Sequence, residues 1–395
     1  MQIFKQLLIW NTFLFGFSSA TTWEATSDVP LSKLVDVSAG SSKLRHRQLD
    51  EEELRPIPEL IANSFVLGDT EKYIVLARVV DDLNAQGVTF FFPWDDAWAK
   101  LDNAFVARIR SPAWRAHLVD LMLFHLYQGT LPTDITDVDN EATNTTITMT
   151  NGGDVELTKA GPGVRFRPNG ARVLAQSVAS NGFAYMLDDV MQPAWVTESL
   201  LDVIKQASSM FPTFLELLSV ANLEGLLDTQ SDPNTYYTVF APSEDAWANL
   251  TAAELEHLKG PDGLADLIEL LSHHVVAGPG PVPMLFLDPP NGQPLATSLT
   301  TLANSTLAVT QHSSAMQIEG PTNSAFIIQG DAMVASNGIV HVISDVLWLP
   351  PAFCSVNPVC ALLGLDGLCC NTTINGTCSK FEWCDFGFIC FNTLN

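Results

Sequence analysis

Tyr237 to Leu250 reads YTVFAPSEDAWANL, and its reading decides the fold. Tyr237 to Phe240 is a short aromatic and β-branched run, the composition of a buried strand. Ala241-Pro242 is expected to stop it. Ser243 can then cap a helix, with Glu244 and Asp245 in the first turn, where negative charge suits the helix dipole. Ala246, Trp247 and Leu250 fall on one side of that helix. A second copy lies upstream: Phe90 to Leu101 reads FFFPWDDAWAKL. Pro93, Asp96, Ala97 and Trp98 match Pro242, Asp245, Ala246 and Trp247 at a constant spacing of 149.

The two copies stay in register outward from this stretch. His125 and His274, each at the end of an apolar helical face, are again 149 apart. Asn181-Gly182 and Asn337-Gly338 are 156 apart, so the second copy has gained seven residues in its later half. Between these landmarks the order repeats. Ser111-Pro112 opens a helix carrying Trp114, Leu118, Leu121 and Met122, and Leu264, Leu267, Ile268 and Leu271 mark its counterpart. Thr251 and Glu254 have capping-box spacing. Residues 58–80 read as helical, with a break near Gly68-Asp69. Thr145 to Thr150, Val155 to Leu157, Val164 to Phe166 and Ala171 to Leu174 read as strands, as do Leu307 to Val309 and Met316 to Ile318. A tandem duplication explains this order. Helices precede strands in each copy, which predicts α+β domains rather than parallel βαβ winding.

The chain resembles the fasciclin-type domain, FAS1, twice in tandem. The boxes that carry the resemblance are TVFAPSEDAW from Thr238, LLSHHVVAG from Leu270, and SNGIVHVISDVLWLP from Ser336 to Pro350. The first copy has FFFPWDDAW, LMLFHLYQG and SNGFAYMLDDVMQP in the same order. The resemblance implies a β-sandwich or wedge with helices packed on one side, extracellular adhesion or matrix work done by binding, and no shared catalytic residues. It makes Pro93, Asp96, Trp98, His125, Pro242, Asp245, Trp247, His274, Asn337, Gly338 and His341 signature positions of the fold. The aromatic–His pair implicated in integrin adhesion in some animal members falls on Phe124-His125 and His273-His274. Neither copy has the Tyr, and that role is not carried over.

The residues favour structure over chemistry. An imidazole at a helix end beside ready carbonyls is expected to be a satisfied core group. Adjacent His273 and His274 point about 100° apart on a helix and make a poor metal site. The pairs Asp95-Asp96 and Glu244-Asp245 sit where helix dipoles want them, unlike the two separated carboxylates of a glycosidase. Trp98 and Trp247 read as core anchors rather than ligand platforms. No nucleophile elbow, zinc-protease motif, phosphate loop or calcium loop is found, so neither an enzyme nor a cofactor is expected.

The ends suggest export. Lys5 followed by the apolar run Leu7 to Phe17 and by Ser18-Ser19-Ala20 reads as a signal peptide over residues 1–20. Residues 21–56 read as a linker or pro-segment, 57–195 and 197–350 as the two domains, and 351–395 as a Cys-rich module. No further stretch is long and apolar enough for a membrane span. Sequons at Asn144, Asn249, Asn304, Asn371 and Asn375 fit a secreted glycoprotein, with Asn249 expected to be partly shielded beside its helix. All seven cysteines, Cys354, Cys360, Cys369, Cys370, Cys378, Cys384 and Cys390, fall in the last module and imply disulfides, with one thiol left over.

Charge narrows the partners. The net charge is −25, which disfavours nucleic acid. Residues 57–196 carry 17 acids and 10 bases, whereas residues 197–350 carry 17 acids and only Lys205 and Lys259. The expected partners are extracellular proteins or glycans, met by the tandem domains. In the alternative, a carbohydrate- or protein-binding Cys-rich tail is displayed on a FAS1 spacer.

Overall fold

The computed structural model describes residues 35–36, 54–131, 145–158, 166–228, 235–283, 298–312, 315–328, 332–349, 368–374 and 377–383. The elements below all lie within one compact unit, Asp36–Asn395.

The three consecutive phenylalanines 90–92 show how each repeat is layered. Side chains alternate along a strand. Val88, Phe90 and Phe92 enter a core built with helices, while Phe91 enters a second core on the other face. There Phe91 meets Tyr185 and Phe166 at ring-centroid distances of 5.6 and 6.1 Å. The second repeat divides its strand alike: Tyr237, Val239 and Ala241 face helices, and Phe240 faces Leu307 and Ile318. A strand covered on both faces is largely apolar, with Thr89 and Thr238 the buried, hydrogen-bonded exceptions, which is why it shows no polar alternation in sequence.

Each repeat is α+β, with helices on one side of a sheet and a smaller sheet on the other. In the first, the helices Ile57–Ala62, Gly68–Ala77, Asn103–Ile109 and Arg115–Leu123 lie on the side of Phe90. The strands Val173–Ala179, Gly182–Leu187, Val88–Pro93 and Leu126–Tyr127 lie side by side in that order. Strands Thr145–Thr148, Asp154–Thr158 and Arg167–Pro168 form the smaller sheet. In the second repeat the strand order is Val275–Gly278, Tyr236–Pro242, Gly338–Ile343 and Met333–Ala335. Its smaller sheet runs Ser298–Thr300, Thr306–His312, Ala315–Glu319 and Ser324–Phe326. Most helices precede most strands, but the central strand of each repeat stands between helices and pairs in parallel with the last strand of the domain's larger sheet, Val88–Pro93 with Gly182–Leu187 and Tyr236–Pro242 with Gly338–Ile343.

Several expected boundaries move, each for a local reason. Proline does not stop the central strand at Ala241: pairing continues through Pro93↔Leu187 and Pro242↔Ile343. A proline at the last strand position lacks only its own N–H. The next residue restores the ladder, with Trp94 N–H donating to Leu187 O and Ser243 N–H to Ile343 O. The break expected at Gly68-Asp69 falls at residues 63–67, and a helix begins at Gly68. Pro112–Trp114 forms a 3-10 turn before the α-helix Arg115–Leu123. The strand expected over 164–166 lies at Arg167–Pro168, and the one expected from Ala171 starts at Val173. By contrast, Ser243 accepts the Ala246 N–H at 3.2 Å, and Thr251 with Glu254 forms the capping box.

The two repeats share a packed seam. Tyr236, Val334 and Ile339 of the second repeat join the helix-side core of the first. Trp114 packs edge-on against Tyr236 at 4.9 Å, and the Arg108 guanidinium lies over both rings while donating to Tyr236 Oη at 2.8 Å. His117 Nε2–H is shared between the carbonyls of Ala335 at 3.0 Å and Gly338 at 3.1 Å. Gly280 packs so closely that a Cβ there would lie 2.9 Å from Ala113 Cβ.

In the last module, strands Leu368–Ile374 and Thr377–Trp383 pair as a hairpin bearing Cys369, Cys370 and Cys378. Cys354, Cys360, Cys384 and Cys390, the signal peptide over 1–20, and Asn144 and Asn375 lie outside the described residues.

Candidate recognition surface

Apart from Asp96 and Asp245, the signature residues are brought together inside each repeat rather than on its surface. Trp98 and Trp247 are buried, and Trp98 Nε1–H donates to Thr70 Oγ1 at 2.8 Å. Pro93 and Pro242 end the central strands. Asp96 and Asp245 are exposed at the start of the short helices Asp95–Trp98 and Glu244–Ala248. Their neighbours do the longer-range work. Asp95 Oδ1 accepts the Asp69 N–H at 2.9 Å and Oδ2 the Gly68 N–H at 3.3 Å, so it closes the N-terminus of a different helix. Glu244 accepts Thr213 Oγ1–H at 2.6 Å and the Thr213 N–H at 3.3 Å at the start of Pro212–Val220. The paired acids are therefore split between their own short helix and one that lies earlier in the chain.

Two histidines make one bridge. His125 Nδ1–H donates to Leu121 O at 2.8 Å, and its Nε2 accepts the Met191 N–H at 3.0 Å. His274 does the same between Leu270 O at 2.8 Å and the Leu347 N–H at 3.0 Å. Each ring ties the end of a helix to the chain leaving the last strand. An Nε2 that accepts from a backbone N–H requires the neutral imidazole. Burial pushes His125 down to about 4 and His274 to about 3, in keeping with that tautomer. His341 also lies buried, stacked on Phe240 and donating from Nε2 to Val282 O at 2.8 Å.

Phe124 and His273, the other halves of the aromatic–His pairs, are buried too. His273 differs from the rest: neither ring nitrogen has a hydrogen-bond partner among the described residues. Burial alone holds its pKa down at about 4. Among the described residues no group of three or more His, Cys, Asp or Glu side chains is placed to hold a metal ion. No helix among them is long and apolar enough to cross a membrane.

Asn337 and Gly338 read as a turn, but they do more. Asn337 Oδ1 accepts the Leu200 N–H at 2.8 Å, and Nδ2–H donates to Leu227 O at 2.9 Å. Gly338 allows the parallel strands to close, since a Cβ would lie 2.1 Å from Tyr237 O.

What remains outside is acidic and sparsely apolar. Lys205 and Lys259 face Glu224 at 3.4 Å and Glu216 at 2.7 Å, so both bases of the second repeat lie against acids. Asn249 is exposed, against expectation, because it follows its short helix as a C-cap. Asn304 is exposed at the tip of a turn.

The seam residues were not legible as a site. The positions 149 residues after Arg108, Trp114 and His117 are His257, Gly263 and Asp266. There His257 and Asp266 form a solvent-facing pair at 3.2 Å. The available signal was this difference between copies, not their likeness.

Comparison with known proteins agrees with the boxes. The fasciclin domain model matches residues 68–193 and again 209–350. Pig transforming growth factor-beta-induced protein ig-h3 is 25% identical over 298 residues, 74% of this chain and 40% of that protein. Mouse stabilin-2 is 32% identical over 103 residues, 25% of this chain. The match spans only 4% of stabilin-2. A solved FAS1 domain pair from the insect cell adhesion molecule fasciclin I aligns over 72% of this chain and 97% of its own, with 17% identity and a TM-score of 0.40. With two matched segments covering well over half of its length, the chain belongs to the fasciclin domain family.

Proposed function

We propose that this chain is a secreted glycoprotein that works by binding at the cell surface or in the matrix, without catalysis, presenting its two fasciclin domains as a joined pair to protein or glycan partners. The observation that carries the reading is the burial of the signature side chains, His125, His274, Trp98 and Trp247, in both domains. The boxes that define the family are used up in holding the fold, so recognition falls to the exposed acidic surface. The family resemblance associates such domains with adhesion, and the signal-like start and the sequons fit export.

The test is binding of the tagged full chain to intact cells and isolated matrix, beside a chain ending at residue 350. Binding retained by the shorter chain supports recognition by the tandem domains. Binding lost with residues 351–395 transfers recognition to the Cys-rich module, and no binding by either chain overturns the adhesion reading.

A further inference from the structure

Helix Leu264–His273 turns Leu267, Leu270 and Leu271 inward, yet Leu264 and Ile268 remain 37% and 38% exposed on its outer side. Residues four apart on a helix are neighbours. The next step along that line is Ser272, which is only half-buried because a turn folds over it. In that turn the Leu302 N–H donates to Val275 O at 2.8 Å and the Ala303 N–H to Ser272 O at 3.3 Å. Leu302, 39% exposed, thus continues the apolar stripe. The turn places Asn304 at its tip, with φ of 55°.

Asn304 opens the sequon Asn304-Ser305-Thr306, and both Asn304 and Thr306 are exposed. Left-handed backbone by itself explains an Asn here. The first domain shows how the turn is made without one: Thr150 N–H donates to Leu126 O at 2.8 Å, as Leu302 does to Val275, and Gly152 takes the left-handed position at φ of 85°. The second domain alone has Asn at this position, with Thr two residues later and an apolar stripe beside it. The other described sequon of this domain is built differently. Thr251 Oγ1 donates to the Glu254 carboxylate at 2.8 Å and accepts the Glu254 N–H at 3.3 Å, so the hydroxyl that defines the Asn249 sequon is held in a local capping box.

We propose that Asn304 carries an N-linked oligosaccharide whose first sugars lie over Leu302, Ile268 and Leu264, covering an apolar stripe that the described residues leave partly exposed. This rests on the secretory reading above. In the transfer, the Asn304 amide nitrogen forms a bond to C1 of the first N-acetylglucosamine. The C1–oxygen bond to a polyprenyl pyrophosphate donor breaks, the pyrophosphate leaves with that electron pair, and the amide gives up one proton. Glycan is bulky and solubilising, and an exposed apolar patch otherwise invites association.

The experiment uses the full chain secreted from a eukaryotic host, treated with peptide N-glycosidase in 18O-water and mapped by mass spectrometry. Conversion of Asn304 to labelled aspartate is expected. Glycan on other sequons with Asn304 bare overturns the site, whereas no glycan anywhere overturns the secretory reading beneath it. Thr306→Val and Asn304→Gly both remove the sequon, and the second keeps the left-handed turn as Gly152 does. Each is expected to abolish labelling at residue 304 and to raise binding of an apolar fluorescent dye by about twofold. That rise should vanish when Leu264, Ile268 and Leu302 are also changed to Ser. Unchanged dye binding in both folded variants overturns the covering role.

Discussion

Asn181 and Asn337 occupy the same place in the two domains, and each pins the first helix of its domain to the start of the last strand. Asn181 Oδ1 accepts the Ile57 N–H at 2.9 Å, while Nδ2 donates to Leu83 O at 2.6 Å and Ala85 O at 3.0 Å. Asn337 makes the same kind of clamp with one bond fewer, to Leu200 and Leu227. Both side chains are buried, so truncation leaves backbone groups without partners, at a cost of about 1–3 kcal/mol for each stranded group. Asn181→Ala is expected to destabilise the first domain by about 3 kcal/mol and Asn337→Ala the second by about 2 kcal/mol. Urea unfolding followed by tryptophan fluorescence measures both. Losses below about 0.5 kcal/mol, the usual range for surface changes, would refute the clamp.

The glycine after each Asn is a separate matter. A Cβ at Gly182 would fall 1.8 Å from Val88 O, and one at Gly338 2.1 Å from Tyr237 O. Backbone cannot give way as a flexible side chain can. Gly182→Ala and Gly338→Ala should each prevent their own domain from folding, leaving circular dichroism of about one domain. Normal expression and full secondary structure of either variant would refute the close approach.

Acid should unfold this protein more steeply than its carboxylates alone would dictate. Five histidines, at 117, 125, 273, 274 and 341, are buried, with pKa values pushed down to about 4, or about 3 for His274. Their folded values lie below the unfolded value of about 6.5. Their contribution is therefore fully present above pH ~6.5 and is lost as pH falls from there towards ~4. His117 is faced by Arg108, His273 and His274 face each other, and His125 and His341 meet the carbonyls of Leu121 and Val282. Each fully coupled histidine adds a slope of about 1.4 kcal/mol per pH unit. Urea midpoints measured between pH 7.5 and 4.5 should fall throughout that interval. A flat profile down to pH 5 would sink the prediction.

His273 invites an improvement. Its counterpart, Phe124, packs in the sheet-side core of the first domain, whereas His273 buries two ring nitrogens without partners among the described residues. His273→Phe should raise stability by about 1–2 kcal/mol, the order of an unsatisfied polar group removed. It should also reduce the acid slope by one histidine's share. A destabilised variant would mean that the imidazole is satisfied in a way the packing does not reveal.

The seam should make the two domains unfold together. Gly280→Val would push into Ala113 and wedge the seam open. One calorimetric transition in the parent chain and two in the variant are expected. Two transitions in the parent would show that Arg108, Trp114 and His117 do not couple the domains.

Much of the fold was legible because duplication prints the same signal twice. The strand, corner and Trp-anchored helix at Tyr237–Leu250 were readable from composition, and Ser243 and Thr251 from capping chemistry. The Asn-Gly pairs were visible only as turns. Nothing local says that Asn337 reaches back 137 residues to Leu200. The seam was hidden for the opposite reason: it uses positions at which the copies differ, and a search for likeness passes over them. The acids were half-read, since Asp95 and Glu244 serve helices that lie earlier in the chain.

The parallel pairing of Val88–Pro93 with Gly182–Leu187 has a consequence for synthesis. An antiparallel hairpin can close as it leaves the ribosome, but this strand must wait for a partner made much later. At ~5–20 residues per second that delay is on the order of ten seconds. During it, Phe90 to Phe92 present both apolar faces with one edge open, the kind of surface that makes an incomplete fold prone to aggregation. The wait then recurs at larger scale. The carbonyls that receive His117 belong to Ala335 and Gly338, near the end of the second domain. The first domain can therefore be complete while its seam, with Trp114 and Arg108, is still bare, and premature termination in the second domain would leave it so.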